Sequence, residues 1–237
     1  MTFNTFFNKA KDKGIKNIQI VETTENIGQI ELVNKELETF EISNHTGYQI
    51  KAEYNDKTVK AAADYLDETI LDTIIMKATY TDSKYQDEYL TDKTQNNKIN
   101  NTPQIEMSKE LKLLKELDDI RKDYPEINNL TLSYSEIYEK KRIINSNGVD
   151  IVTDCHLYEF VPQIVVQDKD KTTSYDRVYL KTTKEDLDMK NNLITDIKMA
   201  IKQATKEKLQ TKKYNIIIDS TVMKHILSNF IDMLSAT

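Results

Sequence analysis

"ELETFEISNHTGYQIKAEYNDKTVKAAADYL", residues 36–66, sets the fold class. Tyr48, Ile50, Ala52 and Tyr54 alternate, which places them on one face of a strand, and Asn44 to Gly47 and Asn55–Asp56 supply turn residues on either side. The pattern is that of an antiparallel meander. The period then switches. Over 68–80 the apolar residues Ile70, Leu71, Ile74, Ile75 and Ala78 recur at helical spacing, so a helix is expected to pack on the sheet just made.

Working outward, residues 2–13 put Phe3, Phe6, Phe7 and Ala10 on one helical stripe that stops near Gly14. Two half-buried strands follow, one over 17–24 around Ile18 and Ile20 and one around Ile30 and Leu32. Residues 91–104, "TDKTQNNKINNTPQ", hold too little apolar surface to offset ordering entropy and read as a flexible loop. Met107, Leu111, Leu114, Leu117 and Ile120 then form an amphipathic helix that stops before Pro125. Strand-like text fills 130–182 as a second meander, and Leu193, Ile194, Ile197, Ala200, Ile201 and Ala204 mark a long helix. The class is therefore α+β, with antiparallel β-meanders packed against amphipathic helices. In the closing stretch "KYNIIIDSTVMKHILSNFIDMLSAT", "NIIID" reads as a short buried strand and Asp219 or Ser220 as the cap of an apolar helix.

Composition removes several functions. With 33 Lys+Arg against 39 Asp+Glu the net charge is −6, which disfavours a general grip on nucleic acid or anionic lipid. The local runs at Lys140, Lys141 and Arg142, and at Lys206 and Lys208, read as solvated faces. Four glycines form no phosphate-cradling loop. Cys155 is the single cysteine, so no internal disulfide can form; with no signal-peptide run at the start and no apolar span, a cytoplasmic setting without membrane contact is expected.

Candidate chemistry is sparse. His45, His156 and His225 are far apart, and no His-Glu-x-x-His or His-Glu-x-x-x-His occurs. The triplet Asp154-Cys155-His156 is the most chemical in composition: on a strand Asp154 and His156 share a face and Cys155 points the other way, so either the Asp and His hold a metal or, the favoured reading, the triplet is structural with Cys155 a small buried residue. His45 falls in the expected turn, facing water. Tyr134, Tyr138 and Tyr158 read as strand packing, with a peptide-binding row as the alternative.

In "RIINSNGVDIVTD", residues 142–154, Asn147–Gly148 between two alternating runs predicts a type I′ hairpin. The same stretch, "IINSNGVDI" (143–151), resembles the Asn-Ser-x-Gly signature of the TldD/PmbA family, bacterial proteins also labelled "putative modulator of DNA gyrase". Residues 36–70 are similar to that family's early segment, and "KYNIIIDSTVMKHILSNFIDMLSAT" resembles the opening of its carboxy-terminal domain. The likeness leans to the PmbA branch, and "TVKAAADYL" departs from it where glycine is expected among Lys60 to Ala63.

The resemblance implies a metallopeptidase-related fold in two parts: residues 1–212 as the amino-terminal domain and 213–237 as the first strand and helix of the next. It implies homo- or hetero-dimers of TldD/PmbA-type subunits that cleave or mature a peptide substrate. Zinc sits in a His-Glu-x-x-x-His helix of the carboxy-terminal domain or partner subunit. This chain has no such motif, so no catalytic, cofactor or metal residue is carried over and no activity of its own is expected. Asn145, Ser146 and Gly148 are expected to be architectural, and Val222, Ile226, Phe230 and Leu234 to face a partner. The alternative is a stand-alone interaction module that captures an extended peptide on a sheet edge.

Overall fold

The computed structural model describes residues 1–81, 95–96, 102–168, 171–205 and 210–235. Residues 1–205 make one compact unit and 206–237 a second.

The first unit is built on four long strands, β1 (Lys16–Val33), β2 (Glu36–Tyr54), β5 (Ile127–Asn145) and β6 (Asp150–Asp168). With β3 (Lys57–Ala63) and β4 (Gln95–Asn96) they lie in the order β3-β2-β1-β5-β6-β4; β7 (Lys171–Asp176) and β8 (Tyr179–Lys181) also pair with β6. All pairings are antiparallel except β4 with β6. Two tight turns fold the first meander, with positive φ at both Asn34 and Lys35 and at both Asn55 and Asp56. This backbone matches the strand twist and favours short polar residues, which Asn34, Asn55 and Asp56 are and Lys35 is not.

The two runs expected as separate strands, 17–24 and the run around Ile30, are one strand, β1. The turn expected at Asn44 to Gly47 is likewise absent: these residues run straight through β2, opposite Asn26 to Thr23 of β1. Their polarity follows from what covers the sheet. Helices α1 (Phe3–Asp12) and α2 (Thr69–Tyr80) pack over one end of a sheet face, burying Ile20, Ile50, Ala52, Val59 and Ala61 against Phe6, Leu71 and Ile74. Helices α3 (Ser108–Asp118) and α4 (Met189–Ala204) cover the other end of the same face. They bury Ile30, Leu132, Tyr134, Phe160 and Ile164 against Leu114, Leu193 and Ile197. Ile20 and Ile30 are an even number of residues apart on β1, so both cores share one face. Between them the face has no helix above it, and Glu22, Thr24 and Asn26 sit there.

Gly28 fits the edge of the second core. A Cβ there would lie 2.6 Å from Ile105 Cγ2 and from Met107 Sδ, so only glycine lets residues 105–107 lie directly on the sheet. Helix α1 closes as a Schellman motif, the Ile15 N–H donating to the Ala10 carbonyl at 2.9 Å and the Gly14 N–H to that of Lys11 at 3.0 Å. Of the loop expected at 91–104, Gln95–Asn96 form β4 against Asp150 and Ile151, Thr102 to Gln104 carry no regular structure, and the remainder lies outside the described residues. Lys206 and Lys208 also lie outside them.

In the second unit helix α5 spans Ser220–Ser235. Residues 213–219, with the "NIIID" expected as a buried strand, carry no regular structure, and Ile217 is fully exposed. A strand needs a neighbouring edge to satisfy its backbone, and none pairs with this segment among the described residues.

Candidate functional site

The β5–β6 corner is built from Asn145 outward. Its side chain is buried, and its Oδ1 accepts from the Asn147 N–H at 2.9 Å and the Val149 N–H at 3.0 Å. The carbonyl of Asn145 accepts from the Gly148 N–H at 3.3 Å, and its N–H donates to the Val149 carbonyl at 3.1 Å. Ser146 clamps the corner to β1: its N–H donates to the Ile18 carbonyl at 2.8 Å, and its Oγ accepts from the Ile18 N–H at 3.1 Å. The turn is not the expected type I′, because positive φ occurs at Gly148 (+92°) and not at Asn147. The Asn145 side chain and Ser146 hold the first half of the loop in place, which leaves the reversal to the glycine. Together with α1 the corner lines a cleft of about 810 Å³.

From this corner the β5–β6 register carries a polar cluster onto the helix-bearing face. Tyr138 lies opposite His156, and Glu136 opposite Tyr158. His156 Nε2 meets Glu136 Oε1 at 2.9 Å, its Nδ1 meets the Tyr158 hydroxyl at 3.4 Å, and its ring lies edge-on to Tyr138. The Tyr138 hydroxyl donates to Asp154 Oδ2 at 3.4 Å. Burial raises the phenols of Tyr138 and Tyr158 above their ordinary value. Asp154 and His156 do share a face, but each is engaged by a tyrosine, and no group of three His, Cys, Asp or Glu ligands assembles among the described residues. The side chains present do not fit zinc. Cys155 is exposed, not buried as expected, because its face of β6 carries no helix.

Arg142 donates from Nε and Nη2 to both carboxylate oxygens of Asp150 at 2.8 Å each, and its guanidinium lies 5.1 Å from the centre of the Phe3 ring. The bidentate bond holds the Asp150 carboxyl below the usual carboxylate range. So the basic run divides: Arg142 is a structural tie, and Lys141 pairs with Glu139 at 2.8 Å. His45, expected in a turn, lies on β2 and stands 3.9 Å from Asp64. Tyr134 and Tyr138 are buried as strand packing, while Tyr158 is half-buried. The Glu136–His156 and Arg142–Asp150 pairs are not evident from the sequence alone, because each joins diagonal neighbours of the ladder, two residues away from the directly opposed partner.

On α5 the side chains of Val222, Ile226, Phe230 and Leu234 recur every fourth residue and are all exposed. Met223, Leu227 and Ile231 form a second exposed column beside them.

Residues 100–209 match the family model described as PmbA/TldA metallopeptidase central domain. The fold is similar to the crystal structure of a "putative modulator of DNA gyrase" from Bacteroides thetaiotaomicron, with TM-score 0.79 and 15% identity over 97% of this chain and 55% of that one. Its counterpart from Thermotoga maritima gives 0.71 and 16% over 90% of this chain and 51% of that one. Over residues 100–209 the chain carries a PmbA/TldA-type domain.

TldE from Thermococcus kodakarensis is a more distant match, at TM-score 0.57 and 12% identity over 85% of this chain and 46% of that one. No curated protein matches the sequence. The chain spans about half the length of these solved structures. The segment described as a central domain begins ahead of α3 and runs past α4, within the stretch the sequence reading treats as one amino-terminal domain. In the structure β1 pairs with β5 from Gln19 to Val33, so a single sheet crosses the start of that segment. No helix among the described residues is long and apolar enough to cross a membrane.

Proposed function

We propose that this chain serves a TldD/PmbA-type peptidase assembly in the cytoplasm, contributing a subunit interface and part of the channel that admits a peptide substrate. The chemistry lies elsewhere, in a further domain or a partner subunit bearing the His-Glu-x-x-x-His zinc helix. The observation that carries this reading is α5, whose two apolar columns stand in solvent, an arrangement that calls for a covering surface. The description of the matching family as a metallopeptidase supports the same reading. Within it, Asn145, Ser146 and Gly148 act as architecture, holding the β5–β6 corner on β1. The acidic net charge speaks against nucleic acid as the partner.

The test is to express this chain with a TldD-type subunit from the same genome and follow cleavage of an unstructured peptide, with and without a zinc chelator. The pair is expected to cleave and the chain alone to be inert. Cleavage by the chain alone, or a pair no faster than the TldD-type subunit by itself, would overturn the proposal.

A further inference from the structure

The lane beside β2 is half filled. β3 pairs with β2 from Tyr48 to Tyr54, whereas Glu36 to Gly47 pair only with β1 and border no other strand among the described residues. At 3.3–3.4 Å per residue this leaves about 40 Å of sheet edge whose outward N–H and C=O groups meet no strand among the described residues. The apolar face of that edge is uncovered too. Leu37, Phe40 and Ile42 are 45%, 46% and 50% exposed, although their ladder neighbours Leu32 and Ile30 are fully buried.

The charge of the edge is of one sign. Glu36, Glu38 and Glu41 lie in it, with no lysine or arginine from 36 to 47. A second copy of the same edge would bring its own carboxylates to the seam, and like charges facing each other across a ladder are destabilising. A cationic strand meets no such penalty.

We propose that the β2 edge from Glu36 to Gly47 takes up an extended polypeptide whose aliphatic residues alternate with lysine or arginine, added as a strand in line with β3. Ladder hydrogen bonds hold its backbone. Its aliphatic side chains lie with Leu37, Phe40 and Ile42 on the helix-bearing face, and its cations lie on the other face with Glu41. The inference concerns this chain alone and does not depend on any partner subunit or on peptidase activity.

The experiment titrates the full chain with dye-labelled acetyl-Lys-Val-Lys-Val-Lys-Val-amide, followed by fluorescence anisotropy. Three controls accompany it: the same peptide N-methylated at alternate residues, the glutamate-for-lysine peptide, and the chain with Glu38→Lys and Glu41→Lys, its fold checked by circular dichroism. Binding to the wild type is expected, at least tenfold weaker for the N-methylated peptide, for the glutamate peptide and for the doubly substituted chain. No binding, or equal binding of the N-methylated peptide, would overturn strand addition. Equal binding of the glutamate peptide would overturn the charge rule. Self-association of the chain that the lysine peptide does not reverse would make a second copy the occupant and overturn the proposal.

Discussion

Asn145 concentrates more of the fold than any neighbouring side chain, because one buried oxygen satisfies two backbone N–H groups of the β5–β6 loop. In Asn145→Ala both donors lose their acceptor, that of Val149 in a buried setting, which costs about 1–3 kcal/mol; chemical denaturation should show the loss. Ser146→Ala, which removes one acceptor, should cost about 1 kcal/mol in the same measurement. Asp196 is a different case. It is fully buried, accepts from the Tyr179 hydroxyl at 2.8 Å, and its second oxygen has no hydrogen-bond partner among the described residues. Burial raises its pKa in the folded protein, so the folded state holds its proton to higher pH than the unfolded chain does. The stability it contributes is thus greatest in acid and falls as pH rises from the unfolded toward the folded pKa. Asp196→Asn keeps an acceptor for Tyr179 and removes the charge. It should raise Tm at pH 7 relative to wild type and lose that advantage near pH 4, as thermal melts at the two values would show. The Asn-Ser-x-Gly signature is legible in the sequence, whereas its hydrogen bonds are not, since the Ser146 partner Ile18 lies across the sheet in β1.

At the scale of elements, the five α-helices among the described residues lie close to where helical periodicity puts them: α1 to α4 each bury a stripe at regular spacing, and α5 carries the same spacing on its exposed columns. The strands are less legible, and for one physical reason. Thr23 to Asn26 and Asn44 to Gly47 look like loop sequence, but they face each other in the gap between the two cores. There, hydrogen bonding to strands on both sides keeps β1 extended without an apolar face to bury. The tight turn at Asn34–Lys35 carries no glycine to announce it. Gly28 resembles a breaker and is instead a contact. Gly28→Ala should destabilise by about 1–3 kcal/mol by forcing Met107 and Ile105 off the sheet, measurable as a lowered denaturation midpoint with an unchanged slope.

At the scale of the whole molecule, the α+β class and the likeness to TldD/PmbA proteins are both legible in the sequence. The exposed state of 213–219 is not, since an apolar run alone does not say whether an edge is available to receive it. The covering surface proposed for α5 is a TldD/PmbA-type subunit. Native mass spectrometry of the chain mixed with a TldD-type subunit from the same genome, beside the Ile226→Asp/Phe230→Asp variant, tests it most directly. Both side chains are exposed, so the variant leaves the cores of the first unit untouched. The wild type is expected to form a complex and the variant to stay alone. A wild-type chain that stays alone, or a variant that pairs equally well, would contradict the proposal.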